Sequence, residues 1–198
     1  VKVNQKKIII FPTDTVYGIG VRIDDKYNLK KIYQIKKRDF NKPISILFFS
    51  LQQIEKIVFL DNEIKKKIHY FWPGSVTLIV HVRLSCDLYK KEKKIGIRMP
   101  NHPLALKILK KEGPLRTTSI NQSGEPPLNN YQEIKKKYQN KVDYIYYDNN
   151  KNHVSSGISS TVIDTTTFYW NIIRKGEKKN IIILKNIFSK YFFNKKHF

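Results

Sequence analysis

Short apolar, β-branched runs recur along the chain, and most of them end in a cluster of hydroxyl, amide or charged side chains. They are interleaved with stretches whose apolar residues return every three or four positions. That alternation leaves a mixed α/β domain as the architecture able to bury both kinds of segment. Strands are expected at residues 8–11, 44–49, 76–82, 95–99, 115–119, 143–147, 161–164 and 170–174. Leu29, Ile32 and Tyr33 share one helix face behind an N-cap at Asp24 or Asp25. Further helices are expected near residues 51–59 and 62–71. Another starts at Pro103 behind Asn101 or His102, with Leu106 and Leu109 on its apolar face and Gly113 past its end. Residues 124–130 and 149–157 read as loops. There is no internal repeat and no Gly/Ser linker, so one domain is expected over residues 1–185, followed by a basic, aromatic tail over 186–198.

Composition narrows the function classes. Hydrophobic residues at 40% and charged residues at 27% are ordinary for a globular protein. No apolar run approaches the roughly 20 residues of a membrane-spanning helix. One cysteine, Cys86, excludes a disulfide within this sequence and any multi-cysteine zinc site. The five histidines (His69, His81, His102, His153, His197) show no paired ligand spacing, so no metal site built from protein ligands is expected. The net charge of +22 attracts nucleotides, nucleic acid or acidic surfaces. Lys, Ile, Asn and Tyr are all abundant and the lysines are spread along the chain, however, so much of this charge reads as compositional background.

Four polar clusters stand where strands end, the place at which open α/β sheets hold ligands. Residues 12–18 read Pro-Thr-Asp-Thr-Val-Tyr-Gly: two hydroxyls and a carboxylate able to hold a small polar ligand, or a plain turn with a packed tyrosine. Residues 35–43 carry Lys36, Arg38 and Lys42. They read as cations favoured at a helix C-terminus, or as an ammonium and a guanidinium offered to a polyphosphate without the glycine-rich loop of a P-loop enzyme. In residues 115–124 an apolar-led strand runs into four hydroxyls and two amides, and alternation puts Thr117, Ser119 and Asn121 on one face. The last cluster joins residues 97–100 to residues 159–164. Arg98 and Arg174 stand in apolar strands and should face an anion, either a ligand or a carboxylate such as Asp14 or Asp164.

Taken in order, Pro12-Thr13-Asp14-Thr15-Val16-Tyr17-Gly18, Lys36-x-Arg38 with Lys42-Pro43, Trp72-Pro73-Gly74, Arg98-x-Pro100-x-His102-Pro103, Ser119-x-Asn121-x-Ser123-Gly124, Ser160-Thr161-Val162-Ile163-Asp164 and Ile173-Arg174-x-Gly176 resemble the YrdC-like family of threonylcarbamoyl-AMP synthases. Each motif is weak alone, but together they run from about residue 4 to residue 184. The resemblance implies a twisted, open mixed sheet with flanking helices and a concave basic face. It implies L-threonine, bicarbonate and ATP as substrates, with Mg2+ carried by the triphosphate. L-threonylcarbamoyladenylate and pyrophosphate are the products, for tRNA threonylcarbamoyladenosine modification. By position, Arg38, Lys42, Ser119 and Arg174 match ATP contacts, and Thr15, Arg98, Thr117 and Ser160 match L-threonine contacts. Lys36 and Asn121 complete a Lys-x-Arg and Ser-x-Asn catalytic signature with Arg38 and Ser119.

Two positions depart from the pattern: Leu47 stands where some relatives carry histidine, and Pro127 where some carry serine. The length matches the short, single-domain form. A transferase that receives the adenylate, and tRNA or double-stranded RNA, are further partners the resemblance admits. The location it implies is the cytoplasm, or an organelle if a presequence precedes Val1. The rival reading is a non-catalytic RNA-binding module, which the net charge favours but which gives no reason to embed Arg98 and Arg174 in apolar strands.

Overall fold

The computed structural model describes residues 6–83, 92–122, 124–150 and 152–192. Chain order is β1 (Ile9–Phe11), β2 (Gly18–Arg22), α1 (Lys26–Lys36), β3 (Ile46–Leu47), α2 (Leu51–Ile54), α3 (Asn62–Lys67), β4 (Val76–His81), β5 (Lys94–Arg98), α4 (Pro103–Glu112), β6 (Leu115–Ser119), α5 (Tyr131–Tyr138), β7 (Tyr144–Ile145), β8 (Thr161–Asp164), β9 (Asn171–Arg174) and α6 (Lys178–Ile187). Among the described residues nine strands form one open mixed sheet, ordered β7-β1-β2-β6-β3-β5-β4-β8-β9. The expected α/β architecture, an open mixed sheet with flanking helices, is the one observed.

Side-chain alternation decides where the cavity lies. Ile19 and Val21 pack with Ile32 and Tyr33 of α1 and Ile134 and Tyr138 of α5. On the same face Ile95, Ile97, Leu78 and Ile163 pack against Ile54, Ile64 and Leu184 from α2, α3 and α6. On the opposite face, among the described residues, α4 is the covering helix, and its Ala105, Ile108 and Leu109 bury Ile9, Phe11, Leu47 and Leu115. That apolar face of α4 differs from the expectation: Leu109 is buried, but Leu106 is only partly so. Among the described residues the rest of this second face carries no helix and opens as the cavity described below.

The glycine-poor strands are found where the apolar runs predicted them, trimmed at their ends. β2 was not expected, because Gly18 and Gly20 depress strand propensity. Its glycines exist for a packing reason: a Cβ at Gly18 would come 2.6 Å from Thr117 Cγ2, and one at Gly20 would come 2.7 Å from Thr117 Oγ1. Of the two N-cap candidates for α1, Asp25 is the one used, accepting from the Asn28 amide at 3.0 Å, while Asp24 pairs with Arg22. Helices α5 and α6 also escaped the sequence reading. Lysine dominates the exposed side of α5, leaving Ile134 and Tyr138 as a short apolar stripe behind the Asn130 cap. The expected boundary at residue 185 falls inside α6. Residues 186–192 continue from it into the core: Phe188 is fully buried, and Tyr191 stacks on Trp170 at 4.7 Å. The remainder of the expected tail, residues 193–198, lies outside the described residues, as do Cys86 and Ser123.

Candidate active site

A cavity of about 460 Å³ opens on the uncovered face of the sheet. That size lies within the usual range for small-molecule sites. Alternate residues of neighbouring strands floor it: Thr117 and Ser119 of β6, Gly96 and Arg98 of β5, Thr77 and Ile79 of β4, and Val162 of β8. Small side chains in the middle of the floor keep it open, since a Cβ at Gly96 would meet Ser45 Oγ at 2.5 Å and Thr77 Cγ2 at 3.2 Å. Of the ten residues singled out from sequence, seven line this cavity: Thr15, Arg38, Arg98, Thr117, Ser119, Ser160 and Arg174. Lys36, Asn121 and Lys42 do not.

Arg98 is 5% exposed and uses all three sides of its guanidinium. Nε donates to Gly74 O at 2.9 Å, one terminal nitrogen to Thr15 Oγ1 at 2.8 Å, and the other to Asp14 Oδ1 at 2.6 Å. Of the two carboxylates suggested as its partner, Asp14 is the one it meets; Asp164 instead accepts from Lys94 at 2.8 Å. Burial pulls the Arg98 pKa down, and the Asp14 charge opposes that. The Trp72-Pro73-Gly74 turn serves this arginine: Trp72 is core, bonded through Nε1 to Val76 O at 2.7 Å, and Gly74 brings its carbonyl to the guanidinium. The Thr13 hydroxyl donates to Val16 O at 2.7 Å, so at the 3.0 Å contact between the two threonines the proton comes from Thr15. Thr15 Oγ1 thus donates to Thr13 and accepts from Arg98, which leaves an oxygen lone pair for a ligand.

Arg174 differs in its company. It donates to Ser160 O and Ser160 Oγ, both at 3.0 Å, and meets no carboxylate among the described residues. Burial lowers its pKa, and the nearby cations Arg98 and Arg38 lower it further. Arg38 likewise meets no carboxylate among the described residues: it donates to Lys42 O at 3.0 Å and Pro43 O at 3.1 Å. Lys42 thus reaches this arrangement through its backbone carbonyl, while the residue itself is exposed. The cavity is divided by charge: Arg98 is neutralised by Asp14 at one part, and Arg38 and Arg174 at another meet no carboxylate among the described residues.

The Lys-x-Arg motif splits at the end of α1. Lys37 adopts a left-handed conformation (φ 49°, ψ 43°), and the amides of Lys37 and Arg38 close back on Gln34 and Tyr33 carbonyls. This cap sends the two cations apart. Arg38 goes to the cavity. Lys36, 2% exposed, turns inward, donating to Ser119 O and, at 2.5 Å, to Asn121 O, with Asn121 Oδ1 at 3.4 Å. The expectation that Lys36 offers a free ammonium to a polyphosphate is therefore corrected: its protons are taken by the backbone at the end of β6. Asn121 completes the same clip, accepting from Ser119 Oγ at 2.6 Å and donating to the carbonyls of Gln122 and Glu125 at 2.8 and 2.6 Å.

Burial, and secondarily Arg38, pull the Lys36 pKa from 10.5 to about 8. Between about 8 and 10.5 the unfolded chain then holds a proton that the folded chain does not. Stability should rise with pH over that window through this group, and the cost of burying the charge is present in full below it. Denaturant titrations at pH 7.5 and 9.5 check this: Lys36→Met should remove part of the rise, and an unchanged slope would refute it.

Among the polar lining residues, sequence reasoning missed Ser45, Thr77 and Lys94. Thr77, inside an apolar strand, joins the site through its hydroxyl, 2.8 Å from Ser160 Oγ; a lone threonine in such a strand was the available signal. Lys94 was hidden in a lysine-rich stretch and carried no signal. Leu47, at the position where some relatives have histidine, lines the cavity and packs under α4. Among the described residues no group of three His, Cys, Asp or Glu is placed to hold a metal ion, and no helix is long and apolar enough to cross a membrane.

Comparison with known proteins bears on this site. A family model of the Sua5, YciO and YrdC proteins, described as "Telomere recombination", matches residues 2–176. A protein of Methanocaldococcus jannaschii is 38% identical over 141 residues, covering 70% of this chain and 66% of its own. The threonylcarbamoyl-AMP synthase of Pyrococcus abyssi is 30% identical over 186 residues, covering 88% of this chain. A crystal structure of P. abyssi Sua5 complexed with L-threonine superposes with a TM-score of 0.82 at 26% identity, covering 95% of this chain. The chain spans about half the length of these P. abyssi proteins, 52% and 55%.

Proposed function

Because the chain belongs to the Sua5/YciO/YrdC family, we propose that it condenses L-threonine, bicarbonate and ATP into L-threonylcarbamoyl-AMP and pyrophosphate, the adenylate used to modify tRNA with threonylcarbamoyladenosine. The observation that carries this reading is the division of charge within one cavity. An amino acid is zwitterionic and suits the part where Arg98 is already neutralised by Asp14. A triphosphate suits the part where Arg38 and Arg174 meet no carboxylate among the described residues.

In this reading Arg98 orients the threonine carboxylate, and the hydroxyls of Thr15, Thr117 and Ser160 hold the rest of the amino acid. The free lone pair of Thr15 accepts from the threonine amine before carbamate formation. Arg38 and Arg174 take the phosphates. Lys42 reaches the triphosphate from the rim, and Ser119 turns its proton from Asn121 to the nucleotide. Lys36 and Asn121 keep the end of β6 in shape. Magnesium enters with the nucleotide as part of the substrate.

The chemistry needs no protein nucleophile. The threonine amine adds to bicarbonate with loss of water, giving a carbamate. A carbamate oxygen then attacks the α-phosphorus, and the bond to the β,γ-pyrophosphate breaks. Charge accumulates on the phosphoryl oxygens and the leaving group, where preorganised cations and hydroxyls stabilise it. Because the adenylate is an activated species, a threonylcarbamoyltransferase is the partner that consumes it, and tRNA or double-stranded RNA is a further partner for the basic surface. The cytoplasm is the proposed place of action.

Purified protein supplied with all three substrates should yield pyrophosphate and a threonine-dependent adenylate by mass spectrometry. Folded protein that binds RNA but yields no adenylate would replace this reading with the binding-module one.

A further inference from the structure

Beside the cavity, a buried histidine is joined by two partly buried titratable side chains. His102, at the N-cap of α4, is 2% exposed, and neither ring nitrogen has a hydrogen-bond partner among the described residues. Its Nε2 lies 3.8 Å from Asp148 Oδ2. The same carboxylate oxygen is 2.9 Å from His153 Nδ1, and the two rings meet edge to face with centroids 5.6 Å apart. His153 Nε2 lies 3.3 Å from Asn150 Nδ2, so the neutral ring that donates through Nδ1 to Asp148 and accepts from Asn150 satisfies both its nitrogens. Asp148 is itself braced by the Asn150 amide at 2.9 Å.

This cluster is connected to the amino-acid part of the cavity by two routes. On one side, His153 belongs to residues 152–157, which hold the turn carrying Thr15: Ser155 Oγ donates to Thr13 O at 2.6 Å, the Ser156 amide to Asp14 O at 3.0 Å, and the Gly157 amide to Thr15 O at 2.8 Å. On the other side, Asn101 precedes His102, and its amide donates to Asp14 Oδ1 at 3.0 Å, the same oxygen that holds Arg98. Both routes converge on Asp14 and Thr15, which fix the Arg98 guanidinium.

We propose that Asp148 is a positioning residue for the amino-acid subsite: through its hydrogen bond to His153, with the His102 ring packed beside it, it holds residues 152–157 against the Thr13–Thr15 turn and so sets Arg98 and Thr15 for substrate. The inference rests on the reading that Arg98 and Thr15 receive L-threonine. The charged groups facing His102 are Asp148 and His153 from the loop after β7 and Asp14 from the turn after β1. Burial holds the His102 pKa below its usual value, so the ring is neutral at neutral pH. Acid that protonates His102 forces a charge into a buried site that disfavours it. Relief of that charge disturbs the segment carrying Asn101 and His102 against Asp14, and threonine affinity should fall as pH drops below the ordinary histidine range.

The test compares Asp148→Asn, Asp148→Glu and Ser155→Ala with the wild type, measuring KM for L-threonine and for ATP separately, with calorimetric binding of L-threonine from pH 5.5 to 8. Asp148→Asn and Ser155→Ala should each raise KM for L-threonine roughly 3- to 30-fold, the usual span of such indirect coupling, while KM for ATP moves less than about twofold. Asp148→Glu should recover part of the loss. Asp148→Asn should also move the acid fall in threonine binding to lower pH, because the carboxylate favours the charged His102 ring. If Asp148→Asn does not fold, Ser155→Ala and the wild-type pH titration decide. Equal changes in both KM values, or none, overturn the positioning role. A wild-type protein that does not bind L-threonine at all would instead overturn the substrate reading on which it rests.

Discussion

Replacing Arg98 with alanine is expected to abolish threonine-dependent adenylate formation and to destabilise the fold by about 3–5 kcal/mol. Both effects follow from one geometry. Arg98 and Asp14 form a pair whose side chains are 7% and 17% exposed, and removing the cation leaves the Asp14 carboxylate facing the Asn101 amide alone. The carbonyl of Gly74 and the hydroxyl of Thr15 lose their donor at the same time. Arg98→Lys should recover part of the stability, because an ammonium can still reach one or two of these acceptors. It should recover little activity, because it cannot span three acceptors in the plane of a guanidinium. Chemical denaturation and the product assay measured on the same preparations check this. An Arg98→Ala protein that is stable and active would show that neither the pair nor the carboxylate contact matters.

Arg174→Ala is expected to give the opposite combination. It should lower adenylate formation about 10²- to 10³-fold, the usual cost of removing a preorganised donor from a developing charge. Stability should stay unchanged or rise. Among the described residues Arg174 is held by Ser160 and has no carboxylate to strand, and burial together with Arg98 and Arg38 disfavours its charged form. Deleting it relieves that repulsion. An exposed charge outside the cavity, Lys185→Gln, supplies the control. If Lys185→Gln costs as much activity as Arg174→Ala, the site works by general attraction of anions to a basic surface, and the specific role given to Arg174 is lost.

The contrast between these two arginines was only half visible in the sequence. Both stand in apolar strands, and the expectation that each should face an anion follows from the cost of burying an unpaired charge. Asp14 lies 84 positions from Arg98, and nothing local distinguishes it from Asp164 as the partner. The pairing is settled by which strand ends meet across the sheet. Lys36 and Arg38 give the same lesson at shorter range. Two cations two residues apart at a helix end look equivalent in sequence, yet the left-handed Lys37 cap sends one into the protein and the other to the cavity. His102 and His153 carried no paired spacing, and they come together only because the end of α4's approach and the loop after β7 meet beside Asp14.

The sequence by itself determined the alternation of buried strands and helices, because apolar periodicity reports which face of each segment leaves water. It also determined the order of polar strand ends, and with it the family; of the ten residues singled out from it, seven line the cavity. It hid β2, where glycine removes the periodic signal, and it hid the reach of the core into residues 186–192, where aromatic side chains read as a tail. Tertiary structure alone decided which cations are compensated. Charge pairing depends on distances of a few ångströms between residues far apart in the chain, and only the strand order of the sheet sets those distances.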